Sequence, residues 1–162
     1  MSETNFERMI QLAEEVFSAH NDPSQLDVNQ EVIAQLERIH PATLSEYREG
    51  DGPVVWILLI PTTVVLMNSF IKAEISETEL LNNTPLNEKY DALYLCSALV
   101  LPEYRRKGLA KRIATKAIQQ IRTDHPIQTL FAWNFSKEGA LLAESLANQE
   151  GLPLLNRTRD IF

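Results

Sequence analysis

The sequence predicts a single α/β domain, with α and β segments interspersed (α+β in its mixed sheet) and helices on both faces of the sheet. Three observations carry that prediction. Two apolar runs of strand length, "PVVWILLIP" and "ALYLCSALV", show no polar alternation, as strands covered on both faces require. Amphipathic segments of helical period separate them. The 162 residues, 44% hydrophobic and 23% charged, suit one domain with its own core.

The elements follow in order. Residues 4 to 20 form a helix: "TNFE" is a capping box of Thr4 with Glu7, and Phe6, Met9, Ile10, Ala13, Val16 and Phe17 keep helical spacing. "NDPSQ" breaks it. A second helix runs from about Val28 to Ile39, capped by Asp27, with Val32, Ile33, Leu36 and Ile39 on one face and Pro41 ending it. Residues 43–60 read as a hairpin turning at "GDG". Between 61 and 89 the spacing of Leu66, Met67, Phe70 and Ile71 and a second capping box, "SETE", predict helical structure. A strand over 92–100 leads to a helix over 108–123, striped by Leu109, Ile113, Ala117, Ile118 and Ile121 and stopped at His125-Pro126. "TLFAWNF" reads as a strand and "KEGALLAESLANQ" as a helix with Gly151 as its C-cap. A short strand is expected within 152–162. The whole chain, 1–162, is thus read as one domain: two N-terminal helices (4–39), a sheet-bearing core (43–150) and a last short strand.

Composition excludes some functions. The net charge is −7, which argues against general nucleic-acid binding. No apolar run approaches the roughly 20 residues that span a bilayer, so no membrane anchoring is expected. The lone Cys96 permits no intrachain disulfide. With the polar, acidic start "MSETNFERMI", that gives a reducing, cytoplasmic location as the expectation. His20, His40 and His125 share no metal-ligand spacing, and no metal is expected.

Against the acidic whole, "VLPEYRRKGLAKRI" collects Arg105, Arg106, Lys107, Lys111 and Arg112, five of the 15 Lys and Arg, around Gly108. Basic groups at a helix start oppose the helix dipole, so a merely solvated face explains them poorly. A strand, a glycine turn and a helix N-terminus instead form an anion site, because free backbone N–H groups point out of the first turn. Gly108 and Ala110 let an anion approach the backbone closely. The stretch lacks the three glycines of GxGxxG and the GK[ST] of a Walker loop.

These residues carry a resemblance. Val100, Pro102, Tyr104 and the core Arg105-Arg106-Lys107-Gly108-Leu109-Ala110 resemble the acetyl-CoA signature of the GNAT superfamily of N-acetyltransferases. The resemblance extends over about residues 43–150. It implies a GNAT-like fold in which the strands flanking 61–89 pair antiparallel, that stretch being a helical insert between the family's third and fourth strands. It implies acetyl-CoA as co-substrate, its pyrophosphate on the amides and side chains of Arg105 to Lys111 and its pantetheine arm along Ala98, Leu99 and Val100. It also implies that the next strand splays away and that Asn134, at its end, lies beside the cofactor. An amine then attacks the thioester directly.

Two positions depart from the family's pattern. Where many members carry a tyrosine general acid stands Leu141, and where some carry a strand glutamate base stands Tyr94. Tyr94 is the candidate catalytic residue, as acid or water-positioning group; a packed aromatic is the other reading. Cys96, on the same side of the strand, reads as an acyl-accepting thiol or a small buried hydrophobe. Asp91 and Glu46 read as bases or as surface carboxylates, and Trp133 as core or slot lining. The "SETELLNN" helix is expected beside the acceptor pocket. The expected function is acetylation of a primary amine on a small molecule or peptide. The alternatives are a catalytically silent CoA-binding or regulatory module and, against the charge, nucleic-acid binding. Exposed strand edges are compatible with a homodimer.

Overall fold

The computed structural model describes residues 3–20, 29–134 and 136–157, with the backbone alone at 17–20. The elements are α1 (Asn5–His20), α2 (Gln30–Ile39), β1 (Leu44–Glu49), β2 (Gly52–Thr62), α3 (Val64–Ile71), α4 (Glu77–Asn83), β3 (Ala92–Val100), α5 (Leu109–Asp124), β4 (Thr129–Ala132), α6 (Lys137–Glu150) and β5 (Leu154–Asn156). The strands form one mixed sheet in the order β1-β2-β3-β4-β5. β1, β2 and β3 pair antiparallel; β3, β4 and β5 pair parallel.

The antiparallel pairing of β2 with β3 follows from what lies between them. α3 and α4 are two short helices, and they return the chain beside β2 instead of crossing the sheet. Both are capped as their sequences dictate: Thr63 accepts from the Leu66 amide, and Ser76 and Glu79 close the full reciprocal box. β2 is buried almost throughout, as its unbroken apolar run requires. Cross-strand partners share a face, so Trp56, beside Glu46, and Tyr47, beside Val55, mark opposite faces of the sheet. Phe6 of α1 packs edge-on against Trp56, and Arg112 of α5 lies over the Tyr47 ring, which puts these helices on opposite sides.

Three details differ from the sequence reading. Helix α2 begins at Gln30 and is capped by Asn29, whose side chain accepts from the Val32 amide at 3.0 Å; the expected cap, Asp27, lies outside the described residues. In α1, Met9 is fully buried, whereas Phe6 and Ile10 of the same predicted stripe are exposed. β4 is shorter than "TLFAWNF": it ends at Ala132, and Trp133 turns its ring onto Phe70 and Arg157. The last strand covers residues 154–156, and 158–162 lie outside the described residues.

Beneath the parallel half of the sheet sits an aromatic cluster. Phe70 is buried against Tyr94, Phe131 and Trp133, with ring centroids 4.9, 5.9 and 6.0 Å away. Tyr94 stacks on Phe131 at 5.0 Å. Arg157, just past β5, lies over both Phe70 and Trp133 and donates through Nη1 to the Ile75 carbonyl at 3.0 Å. That contact ties the end of the sheet to the segment that starts α4.

Candidate functional site

The early end of β4 builds the site. β3 pairs with β4 only over Ala92–Leu95 but continues to Val100, paired with β2 alone. At the same point the β2 register skips Cys96, since Leu58 faces Ser97 and Leu59 faces Leu95. Such a bulge leaves one residue outside the ladder and increases the local twist. Beyond Leu95, β3 therefore offers a free backbone edge to a cleft of about 840 Å³ that runs between β3, α5, α6 and α1.

One end of the cleft is the turn into α5. Gly108 caps that helix in a left-handed conformation, φ +74°, and no side chain accepts from the first turn. Among the described α-helices this is the exception. Thr4, Asn29, Thr63, Ser76 and Ser136 each place a side-chain oxygen on a first-turn amide of α1, α2, α3, α4 and α6. The leading N–H groups of α5 are left for an outside acceptor, with the positive end of the dipole behind them. No heavy atom other than its chain neighbours lies within 4 Å of where a Gly108 Cβ would sit, so the space in front of the turn is open. Arg106 is also left-handed, φ +63°, and Arg105 braces the turn by donating from Nε to the Val100 carbonyl at 3.0 Å.

The structure gathers most of the predicted cofactor residues here. Ala98, Leu99, Val100, Arg105, Arg106, Gly108, Leu109, Ala110, Lys111 and Asn134 all line the cleft. Lys107 is not among the lining residues; its ammonium sits 5.4 Å from the Tyr104 ring centroid. Asn134 is held by a 2.9 Å hydrogen bond to the Asn156 side chain, which β5 brings alongside.

The inner end holds a residue that the sequence did not single out. Glu77, the first residue of α4, lines the cleft yet is only 5% exposed. Its Oε2 accepts from the Tyr94 hydroxyl at 2.5 Å and from the Cys96 thiol at 3.5 Å. Tyr94 is fully buried and does not line the cleft. Burial, then the neighbouring Glu77 charge, raises its pKa well above the ordinary tyrosine value, so it stays protonated and donates. Burial and the same carboxylate push the Cys96 thiol well up, so it is no ready thiolate. The other residues weighed have structural tasks. Asp91 accepts from the Val64 amide at 2.8 Å at the start of α3. Glu46 pairs with Arg48 at 2.9 Å and accepts from the Trp56 indole. Ser136 caps α6, and Trp133 is both buried and part of the cleft wall. Leu141 is exposed on α6.

His40 and His125, far apart in sequence, meet with ring centroids 5.7 Å apart. His40 shares a 2.7 Å contact with Asp124 through Nε2, and its Nδ1 accepts from the Ala42 amide. No group of three or more His, Cys, Asp or Glu able to hold a metal occurs among the described residues. No described helix is long and apolar enough to cross a membrane.

An open strand edge facing an uncapped helix N-terminus is a distinctive pairing, and the comparison with known families agrees with it. The profile of the Acetyltransferase (GNAT) family matches residues 71–138. Over that span the chain is similar to the GNAT family. The match runs from the end of α3 through β3, the Gly108 turn, α5 and β4 into the start of α6, so it contains both the strand edge and the turn. The mixed sheet and its six described α-helices accord with the GNAT fold, and the family match supports acetyl transfer as the class of activity. No curated protein matches the sequence.

Proposed function

We propose that this chain transfers an acetyl group from acetyl-CoA to a primary amine of a small molecule or peptide, by direct attack in a ternary complex, in the cytoplasm. The observation that carries the reading is the single cleft that joins the free edge of β3 beyond Leu95 to the uncapped start of α5. The pyrophosphate is held by the turn amides with Arg105, Arg106 and Lys111, and Lys107 contributes charge from outside the wall. The pantetheine arm lies along Ala98–Val100, with Asn134 beside it. A β3 backbone N–H near the Cys96 bulge polarises the thioester oxygen. Holding amine and thioester together supplies much of the rate, so the chemistry does not require the α6 tyrosine replaced by Leu141.

That same replacement favours a second reading, a CoA-binding module without turnover. Release of free thiol from acetyl-CoA in the presence of pooled primary amines separates the two. Amine-dependent thiol release supports the transferase, and acetyl-CoA binding with no release from any amine leaves the silent module.

A further inference from the structure

We propose that the outer edge of β1 is a contact between two copies of this chain, which pair their β1 strands antiparallel about a two-fold axis at Tyr47 and set Glu46 of each copy against Arg48 of the other.

β1 stands at the margin of the sheet: it pairs with β2 on one side, and no described strand lies on its other side. The register shows which of its residues face outward. The Leu59 amide donates to the Thr43 carbonyl at 2.9 Å, so Thr43, Ser45 and Tyr47 turn their backbone groups toward β2. The intervening Leu44, Glu46 and Arg48 turn theirs away. Arg48 fits that alternation, because its partner across the ladder is Pro53, which has no N–H to give. The register shift at this point puts the extra residue, Val54, on β2, so β1 itself runs unbroken.

Glu46 and Arg48 also share one face of the strand, and both side chains are exposed. Within one copy they pair with each other at 2.9 Å, and the Glu46 carboxylate is steadied by the Trp56 indole at 3.3 Å. Unpaired N–H and C=O groups on an edge strand recruit another strand unless something blocks them. Charged side chains are the usual block, since like charges then meet across the new pair. In β1 the charges are arranged the other way. An axis at Glu46 would oppose Glu46 to Glu46, and an axis at Arg48 would oppose Arg48 to Arg48. An axis at Ser45 sets Glu46 against Leu44 and carries Arg48 past the start of the strand. An axis at Tyr47 opposes Glu46 to Arg48 twice, and it does so with residues whose backbone groups face outward.

In that register Glu46 of one copy and Arg48 of the other exchange backbone N–H···O bonds, and the two Tyr47 rings meet as the close, non-hydrogen-bonded pair between them. Each ring is half-buried, with Arg112 of its own copy 5.1 Å from the centroid. On the opposite face Trp56, beside Glu46, carries the Phe6 ring, which is 54% exposed, and Ile10 is exposed one turn further along α1. This apolar surface flanks the seam. β5, the strand at the other margin, has three residues and no charged side chain. No β1 residue is among those lining the cleft, so the contact stands apart from the acetyl-transfer reading. A strand of six residues gives a small interface, and a reversible dimer in the micromolar range is expected.

Sedimentation equilibrium of the full chain over a concentration series tests this. The wild type should show a monomer–dimer equilibrium. Arg48→Glu sets acid against acid across the seam, and Glu46→Arg sets base against base. Each should weaken dimerisation at least about tenfold. An equimolar mixture of the two variants opposes acid to base at every position, so it should form a heterodimer about as tight as the wild-type dimer. The double variant Glu46→Arg with Arg48→Glu should dimerise with itself for the same reason. Both side chains are exposed, so the folds should hold, which circular dichroism checks. A wild type that stays monomeric throughout the micromolar range overturns the proposal. So does a dimer that both single variants leave intact, and so do folded, monomeric single variants that fail to combine when mixed.

Discussion

Gly108 and Arg106 both hold left-handed backbone at the turn, and only one of them does so without strain. For a residue with a Cβ that conformation costs about 1–2 kcal/mol. The space around Gly108 is open, so the cost of Gly108→Ala comes from φ and not from a clash. A loss of about 1 kcal/mol is expected in urea unfolding. Arg106→Gly runs the other way: it relieves strain and removes a cation from the cleft. Its stability should stay level or rise by up to about 1 kcal/mol, while acetyl-CoA affinity falls. A drop in both would show that Arg106 braces the fold. The legibility of these residues was uneven. The turn was readable because its glycine and its cations are consecutive in the chain. Glu77 was not, because its partners Tyr94 and Cys96 stand 17 and 19 residues away. Its nearest signal was the capping box, which points to Ser76 and Glu79 instead. Asp91 and Glu46 stood out as carboxylates near strands, and the structure uses one to start α3 and the other to hold Trp56 and Arg48.

At the scale of elements, helix ends were the best-read features and strand ends the worst. A cap is a local event between residues two or three apart, which is why Thr4, Ser76 and Gly151 announce themselves. The end of β4 is decided by Trp133 packing on Phe70 and Arg157, groups distant in sequence, and an apolar run cannot show it. Yet that ending opens the cleft. The ends of α2 and α5 also meet in a way that the sequence hides, through His40, Asp124 and His125. Burial, then the charges of His40 and Lys89, lowers the His125 pKa, and its Nδ1 accepts from the Tyr90 amide at 3.3 Å. A histidine with a lowered folded pKa binds fewer protons when folded than when unfolded. Its contribution is complete above the unfolded value of 6.5 and is lost as pH falls below it. Asp124 is held low, first by its bond to His40, so its contribution is complete above 3.8 and lost only at lower pH. Urea midpoints should therefore fall in two separate acid windows. His125→Gln should flatten the upper one and leave the lower one in place.

For the molecule as a whole, the aromatic cluster links α3 to the wall of the cleft. Phe70 brings α3 against Tyr94 of β3, Phe131 of β4 and Trp133 at the cleft wall, and Arg157 closes the group from beyond β5. Removing a fully buried ring leaves a cavity as well as lost contacts. Phe70→Ala should cost about 3–5 kcal/mol in urea unfolding, with an unchanged slope if the transition stays two-state. Phe70→Leu should cost much less and keep acetyl-CoA binding. The fold class and the order of elements were legible because periodicity and turn residues act locally. The cleft was legible at the Gly108 turn only, since its inner end is assembled from α1, α4 and β3. The central claim is that the free edge of β3 and the Gly108 turn together bind acetyl-CoA. Calorimetric titration of acetyl-CoA into the wild type and Gly108→Glu, with circular dichroism to verify the fold, tests it most directly. The expected result is saturable 1:1 binding by the wild type and none by a folded Gly108→Glu. Absence of binding by the wild type, or equal binding by both, would contradict it.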